Sequence, residues 1–220
     1  MKKQKKDHGG CKDIFRAFLI ENAKFSGMYD IPVIRAEHSV PRKLIRFSDA
    51  CREKKDYNQW VMFYENDFEF ERIWNQPRRY LRILCKFEGV ITPDFSLYYD
   101  MPLAMQIWNI YRSRAIGSWL QHNGVRVIPN IRVGARDTME VSCTGIPKHN
   151  IIAMGTLGCL DDLAYREKFE QNVEIITELL EPETIVVYGG LPSVFSRLKK
   201  RGISVVHSPA DYSFFRKEEK

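Results

Sequence analysis

The chain lacks a hydrophobic run that could cross a membrane, because no stretch of its 220 residues approaches the roughly 20 apolar residues that a spanning helix needs. The basic start, residues 1–12, is not followed by the apolar core of a secretory signal. The five cysteines are odd in number and include no Cys-x-x-Cys pair, which is typical of free thiols in a reducing compartment. We therefore expect a cytoplasmic protein that has no contact with membranes.

Motifs that would identify a reaction are also missing. The sequence contains no Gly-x-x-x-x-Gly-Lys-Ser/Thr phosphate loop, no complete dinucleotide fingerprint and no Gly-x-Ser-x-Gly elbow. His8 and Cys11 are three residues apart, but no second pair of matching spacing completes a zinc site. We therefore predict no metal centre, and the cofactor stays unknown.

Positive charge is present in excess, with a formal net charge of +6. It is concentrated in five segments, which are residues 2–6, 42–43, 52–55, 78–82 and 199–201. Such clusters are typical either of a solvated surface or of a protein that attracts nucleic acid or acidic partners. Charge alone leaves both interpretations open.

Short apolar runs alternate with amphipathic segments over most of the chain. The runs predict strands at 60–64, 89–92, 125–131, 150–156, 184–188 and 203–207, with weaker candidates at 31–35 and 44–48. Helices are predicted at 68–87 (interrupted at Pro77), 102–123, 161–181 and 192–201. This alternation indicates an α/β fold with a mainly parallel sheet and helices on both faces.

The arrangement of that sheet stays open between a small or incomplete (β/α) barrel and an open doubly wound sheet. We expect one α/β domain over residues 31–210. A basic tail and lead-in over 1–30 precede it, and a charged tail over 211–220 follows.

Polar residues follow the predicted strands, at the ends where parallel α/β folds bind their ligands. Asp94, Asn130 and Arg132 form the predicted catalytic set, with Asp94 as general base or nucleophile. The predicted substrate-binding residues are Asp100, Arg112, Thr156, Tyr188 and His207.

Structural roles compete with these functional ones. Asp94 fits an Asx turn, Asp100 fits a helix N-cap, and Arg132 could form a surface ion pair with Asp137. The case for a pocket therefore depends on these side chains converging at one edge of the sheet.

Two arginines of the helix predicted at 102–123 differ in position. Arg114 projects into the apolar arc, so it needs a carboxylate or several carbonyl groups as partners, and we favour a buried ion pair. Arg112 lies at the edge of the arc, where it is freer to reach outward.

A little over half of the chain resembles the bacterial and phage family known as domain of unknown function 4417 (DUF4417). The resemblance is carried by Gly-Val-Ile-Thr-Pro-Asp-Phe-Ser-Leu-Tyr at 89–98, by Asp-Met-Pro-Leu-Ala-Met-Gln-Ile-Trp-Asn at 100–109, and by segments 111–117, 127–130, 145–148, 155–156, 158–159 and 187–189. It implies a phage or mobile-element setting and no established activity. The chain departs from the pattern near Val133 and Ala135, where a tryptophan and an acidic residue are expected, and at Thr144, where an acidic residue is expected.

Two functions of different classes remain. The first is an enzyme that acts on a nucleotide or a nucleic acid through a pocket at the strand ends. The second is a non-catalytic binding module that captures nucleic acid or a host protein, which the basic clusters and the departures from the family pattern favour.

Overall fold

The computed structural model describes residues 13, 15–52, 56–134 and 136–211. A 3-10 helix, Ala17–Ile20, is followed by a short antiparallel hairpin of β1 (Phe25–Ser26) and β2 (Ile31–Pro32). The strand predicted at 31–35 is therefore shorter than expected and belongs to this hairpin. His8 and Cys11 lie outside the described residues.

Seven parallel strands and the helices between them form the rest of the fold, which confirms the predicted α/β class. The short helices at Phe47–Ala50 and Met139–Cys143 were not predicted. The strands are β3 (Leu44–Arg46), β4 (Trp60–Met62), β5 (Gly89–Ile91), β6 (Val127–Ile128), β7 (Ile151–Gly155), β8 (Thr184–Tyr188) and β9 (Ser204–Ser208). The helices are α1 (Phe47–Ala50), α2 (Asp67–Asn75), α3 (Pro77–Leu84), α4 (Leu103–His122), α5 (Met139–Cys143), α6 (Leu163–Leu180) and α7 (Ser193–Lys200). A second 3-10 helix covers Arg136–Thr138.

The strands are arranged in the order in which they occur in the chain. β3 to β6 form one parallel sheet and β7 to β9 another, and a parallel bridge between Asn130 and Ala153 connects the two. Among the described residues no pairing joins β3 to β9, so the sheet does not close. The fold is therefore an incomplete (β/α) barrel, because a doubly wound sheet would reverse its strand order partway.

Side chains alternate between the inside and the outside of this curved sheet. The inward cluster draws residues from all seven strands: Leu44, Trp60, Met62, Tyr64, Ile91, Ile128, Ile151, Ala153, Val186, Tyr188 and Val206. Their neighbours point outward against the helices and form two further clusters. Because the strands run in one direction around a shared interior, their carboxyl ends meet at one rim.

Helix α4 packs against the sheet and buries Arg114, which is 2% exposed. Nη1 of Arg114 donates to the carbonyl oxygen of Asn130 at 3.0 Å, and Nη2 donates to that of Ser142 at 2.7 Å. The favoured ion pair is therefore wrong, and the partners are carbonyl groups, which were the alternative. None of the described helices is both long and apolar enough to cross a membrane.

Candidate functional site

A cavity of about 1020 Å³ opens at the carboxyl-terminal rim of the barrel. Its floor is formed by the residues that follow β4, β5, β6 and β7, and α6 forms one wall. Polar groups occupy the floor, whereas aromatic and aliphatic side chains form the walls. A concave site of this size and composition is typical of small-molecule binding.

The centre of the floor is an ion pair between Asp94 and Arg132. Nε of Arg132 donates to Oδ1 of Asp94 at 2.8 Å, and Nη2 donates to Oδ2 at 2.6 Å. The amide of Asn130 donates to Oδ1 of Asp94 at 2.7 Å, and the hydroxyl of Tyr64 donates to Oδ1 of Asn130 at 2.9 Å. The structure thus brings together the three residues predicted as catalytic and adds Tyr64.

The backbone around this network is fixed from beneath. The amide N–H of Asn130 donates to Oγ1 of Thr92 at 2.8 Å, while Arg114 binds the Asn130 carbonyl. Ser142 donates its hydroxyl to the carbonyl of Arg132 at 2.8 Å. The buried Arg114 therefore has a positioning role below the floor.

Burial and charge set the protonation of the floor. Burial alone would lower the pKa of Arg132, but the charge of Asp94 and its hydrogen bonds raise that pKa by more, so the net shift is upward. Burial raises the pKa of Tyr64 well above the ordinary value for a phenol, and the charge of Asp94 adds to the rise. The arginine is therefore cationic and the phenol neutral at ordinary pH.

The tyrosine ring has little room to move. It stacks on Tyr188 with centroids 5.2 Å apart and planes 8° apart. A Cβ built at Gly155 would lie 2.5 Å from the Tyr64 ring, so glycine is required there for the strand to approach it. Tyr64 is thereby held in the position that binds Asn130.

Glu65, the next residue, also lines the floor, and the sequence reasoning missed it. Glu65 is 8% exposed. Its carboxyl oxygens accept hydrogen bonds from Ser48 N at 3.0 Å and from Ser48 Oγ at 2.5 Å. Burial raises the pKa of Glu65, against the opposing effect of the Ser48 hydrogen bonds.

The mouth of the cavity is aromatic. Tyr99 and Tyr165 stack with centroids 5.8 Å apart and planes 6° apart, and Nζ of Lys168 lies 4.8 Å from the Tyr99 ring centroid. Phe68 and Tyr98 also line the cavity and are 67% and 62% exposed. Because these residues come from α2, from the loop after β5 and from α6, no local spacing could have predicted this wall.

The cysteines offer weak nucleophiles. Cys159 lines the cavity with its sulfur 3.8 Å from Nη1 of Arg132, and burial raises the pKa of its thiol. Cys143 is buried, and burial raises its pKa to about 11. Because thiolates are the reactive form, both are neutral thiols at ordinary pH. The described residues contain no group of three or more His, Cys, Asp or Glu placed to hold a metal ion.

Two predicted substrate-binding residues lie away from the floor. Asp100 is exposed at the mouth of the cavity, and the N-cap of α4 is Pro102, so the N-cap role considered for Asp100 is wrong. Arg112 turns inward, which corrects the expectation that it reaches outward. It donates to Glu71 at 2.6 Å and to Asn109 at 2.7 Å, because α2 places a carboxylate beside it.

The remaining three lie at the rim near β7, β8 and β9. Thr156 donates its hydroxyl to the carbonyl of Gly190 at 3.1 Å, and Nε2 of His207 lies 2.8 Å from the carbonyl oxygen of Gly189. Tyr188 points into the barrel interior. All three residues lie at the predicted rim, where Thr156 and His207 connect its loops by hydrogen bonds. None of the three is among the described residues that line the cavity.

The surface ion pair considered for Arg132 and Asp137 is wrong, since Arg132 binds Asp94. Two of the positions that depart from the family pattern are described. Val133 lines the cavity, and Thr144 donates its hydroxyl to the Glu140 carbonyl at 2.9 Å. Ala135 lies outside the described residues.

Comparison with known proteins adds a setting for this site. The profile of the family described as Domain of unknown function (DUF4417) matches residues 23–206. The chain is 31% identical over 170 residues to the "Gene 1 protein" of Mycobacterium phage L5, a match that covers 76% of the chain and 73% of the relative. It is 30% identical over 168 residues to the "Gene 1 protein" of Mycobacterium phage D29, covering 76% of the chain and 62% of the relative, which is less than two thirds of that protein. No solved structure matches the chain.

Proposed function

Since the chain belongs to the DUF4417 family and has relatives among phage proteins, we propose that it is an enzyme that acts on a nucleotide or on a nucleotide unit of a nucleic acid, with the base inserted into the rim cavity. The observation that carries the proposal is the Asp94–Arg132 ion pair at the floor of an aromatic-walled cavity of about 1020 Å³.

The walls support a flat ligand. Stacking of a base on an aromatic side chain contributes about 1–3 kcal/mol per base. Tyr99 and Tyr165 present parallel rings at the mouth, and Phe68 and Tyr98 add exposed rings beside them. A heterocyclic base fits such a wall better than an aliphatic ligand does.

The charges at the floor indicate which end of a nucleotide enters. The carboxylates Asp67 and Asp94 line the cavity, and Asp100 lies at its mouth, whereas the cation Arg132 is already paired with Asp94. A phosphate at the floor would meet this excess of carboxylates, so the base enters and the phosphate stays outside, on the side of Lys168.

The roles of the floor residues follow from their contacts. Three hydrogen bonds to the Asp94 oxygens leave part of their acceptor capacity open to the cavity, so Asp94 accepts a proton or a hydrogen bond from the substrate. Arg132 is committed to Asp94 and positions it. Asn130 connects Asp94 to Tyr64 through hydrogen bonds.

Binding of the four common ribonucleosides and their monophosphates, measured by titration calorimetry, tests the proposal. At least one of them should bind to the protein. Tyr99→Ala should weaken that binding by about tenfold, which equals roughly 1.4 kcal/mol of lost stacking.

Tyr29→Ala is the matched control, because Tyr29 is 44% exposed in the hairpin turn and is not among the described lining residues. It should leave the dissociation constant unchanged. Absence of binding by every compound, or equal binding by the Tyr99 variant, would contradict the proposal.

A second candidate is a non-catalytic module that captures nucleic acid or a host protein. The exposed arginines of α3 (Arg78, Arg79 and Arg82) favour nucleic acid as its ligand. Phosphate contacts would make DNA or RNA affinity fall steeply with salt. In that case Arg79→Ala and Arg82→Ala would weaken binding, and Tyr99→Ala would not. A gel shift that depends on Tyr99 instead assigns the contact to the cavity.

A further inference from the structure

We propose that Glu65 is a second functional carboxyl group of the cavity, which in its protonated form donates a hydrogen bond to the base bound there. This inference rests on the proposed function. The role of Glu65 adds a hydrogen-bond donor to the floor, beside the acceptor Asp94. The cavity would then select a base that presents an acceptor and a donor on one edge.

The strand register places Glu65 beside Asp94. Trp60 pairs with Gly89 and Val61 with Val90 in parallel β4 and β5, an offset of 29 residues. Glu65 and Asp94 are also 29 residues apart, so they follow the two paired strands at equivalent positions. Both residues line the same cavity, so one ligand there can contact both.

Contacts between the two loops support that register. Asp67, two residues after Glu65, accepts from Ser96 N at 3.1 Å and from Ser96 Oγ at 2.8 Å. Ser96 in turn lies two residues after Asp94. The segments that carry Glu65 and Asp94 are therefore joined above the sheet as well as within it.

Ser48 orients the Glu65 carboxyl group without using all of it. Its N–H donates to Oε1 at 3.0 Å, and its hydroxyl is 2.5 Å from Oε2. Each carboxyl oxygen has two lone-pair positions, so one serine leaves the other positions available. We assign one of these positions to the ligand, because Glu65 lines the cavity.

The surroundings differ between the two carboxyl groups. Asp94 has a bidentate arginine partner, whereas Glu65 faces groups of both signs on three other elements: Glu69 on α2, Arg46 on β3 and Tyr188 on β8. Arg46 is itself held by Asp49 at 2.8 Å. Burial, which is the largest influence, raises the pKa of Glu65. Two carboxyl groups in such different environments are suited to opposite roles, donor and acceptor.

The experiment is calorimetric titration of the wild type, Glu65→Gln and Glu65→Ala with adenosine, cytidine, guanosine and uridine from pH 5 to pH 9. The wild type should bind at least one nucleoside more weakly as pH rises through the pKa of Glu65, because ionisation removes the donor. We expect a loss of about tenfold, the usual size of one hydrogen bond.

Glu65→Gln should retain the affinity and lose this pH dependence, because an amide donates at every pH. Glu65→Ala should bind weakly throughout. Glu69→Gln is the control, since Glu69 neighbours Glu65 but is not among the described residues that line the cavity. It should keep the pH dependence with its midpoint at a lower pH, because the charge of Glu69 is one of the influences that raise the pKa of Glu65.

The outcomes separate the two proposals. Binding by the wild type with no pH dependence, or with the same dependence in Glu65→Gln, overturns the role of Glu65 and leaves the proposed function standing. Failure of the wild type to bind any nucleotide or nucleoside overturns the proposed function, and the role of Glu65 with it. If Glu65→Ala does not fold, the comparison of the wild type with Glu65→Gln still decides.

Discussion

Asp94→Ala should lower the free energy of unfolding by about 3 kcal/mol, because it leaves the guanidinium of Arg132 without its partner. Breaking a buried ion pair by removing one partner typically costs about 3–5 kcal/mol. The lower end applies here, since the Arg132 side chain is 22% exposed and keeps some contact with water. Chemical denaturation of the single variant measures this.

The matched variant removes both charges. Asp94→Leu combined with Arg132→Met should recover most of the lost stability, because a buried pair can often be exchanged for apolar groups at little cost. It should nevertheless bind nucleosides at least about tenfold more weakly than the wild type, because the Asp94 acceptor is gone. Full binding by this stable double variant would show that the ion pair is structural and would contradict the role proposed for Asp94.

Trp60→Ala should be at least as damaging, with a loss of about 3–5 kcal/mol, the usual cost of truncating a buried tryptophan. Trp60 is 1% exposed and fills the barrel interior that all seven strands share. A Cβ built at Gly89 would lie 2.4 Å from its ring, which shows how closely the next strand packs on it.

Trp108→Ala is the control, since Trp108 is 40% exposed on α4, where its ring contacts Trp74 and Tyr111. Its loss should cost about 1–2 kcal/mol, the value of two aromatic contacts. Equal losses of unfolding free energy from the two substitutions would contradict a close-packed interior at the base of the cavity.

The order of strands and helices was predictable because each buried parallel strand leaves a continuous apolar run. The choice between an incomplete barrel and a doubly wound sheet was not, since both are built from the same βαβ units. It depends on which strands pair, and the bridge from Asn130 to Ala153 is a contact that no local pattern encodes.

The core of the site was also predictable, because the strand-end rule assigns Asp94, Asn130 and Arg132 to one rim. Tyr64 and Glu65 directly follow a strand that the sequence predicted, and the same rule applied to that strand would have found them. Arg112 and Arg114 show the limit of the rule. Glu71 on α2 binds Arg112, whereas the segment after β6 and helix α5 supply the carbonyl partners of Arg114. A helical projection shows only how buried a side chain is.

The proposed function depends on one physical condition, that a base enters the rim cavity and reaches the Asp94 carboxylate. A crystal structure of the protein soaked with nucleosides tests it directly. We predict a heterocycle between the Tyr99 wall and the floor, with a ring or exocyclic nitrogen within about 3 Å of Asp94. A ligand bound elsewhere on the surface, with the cavity unchanged, would contradict it.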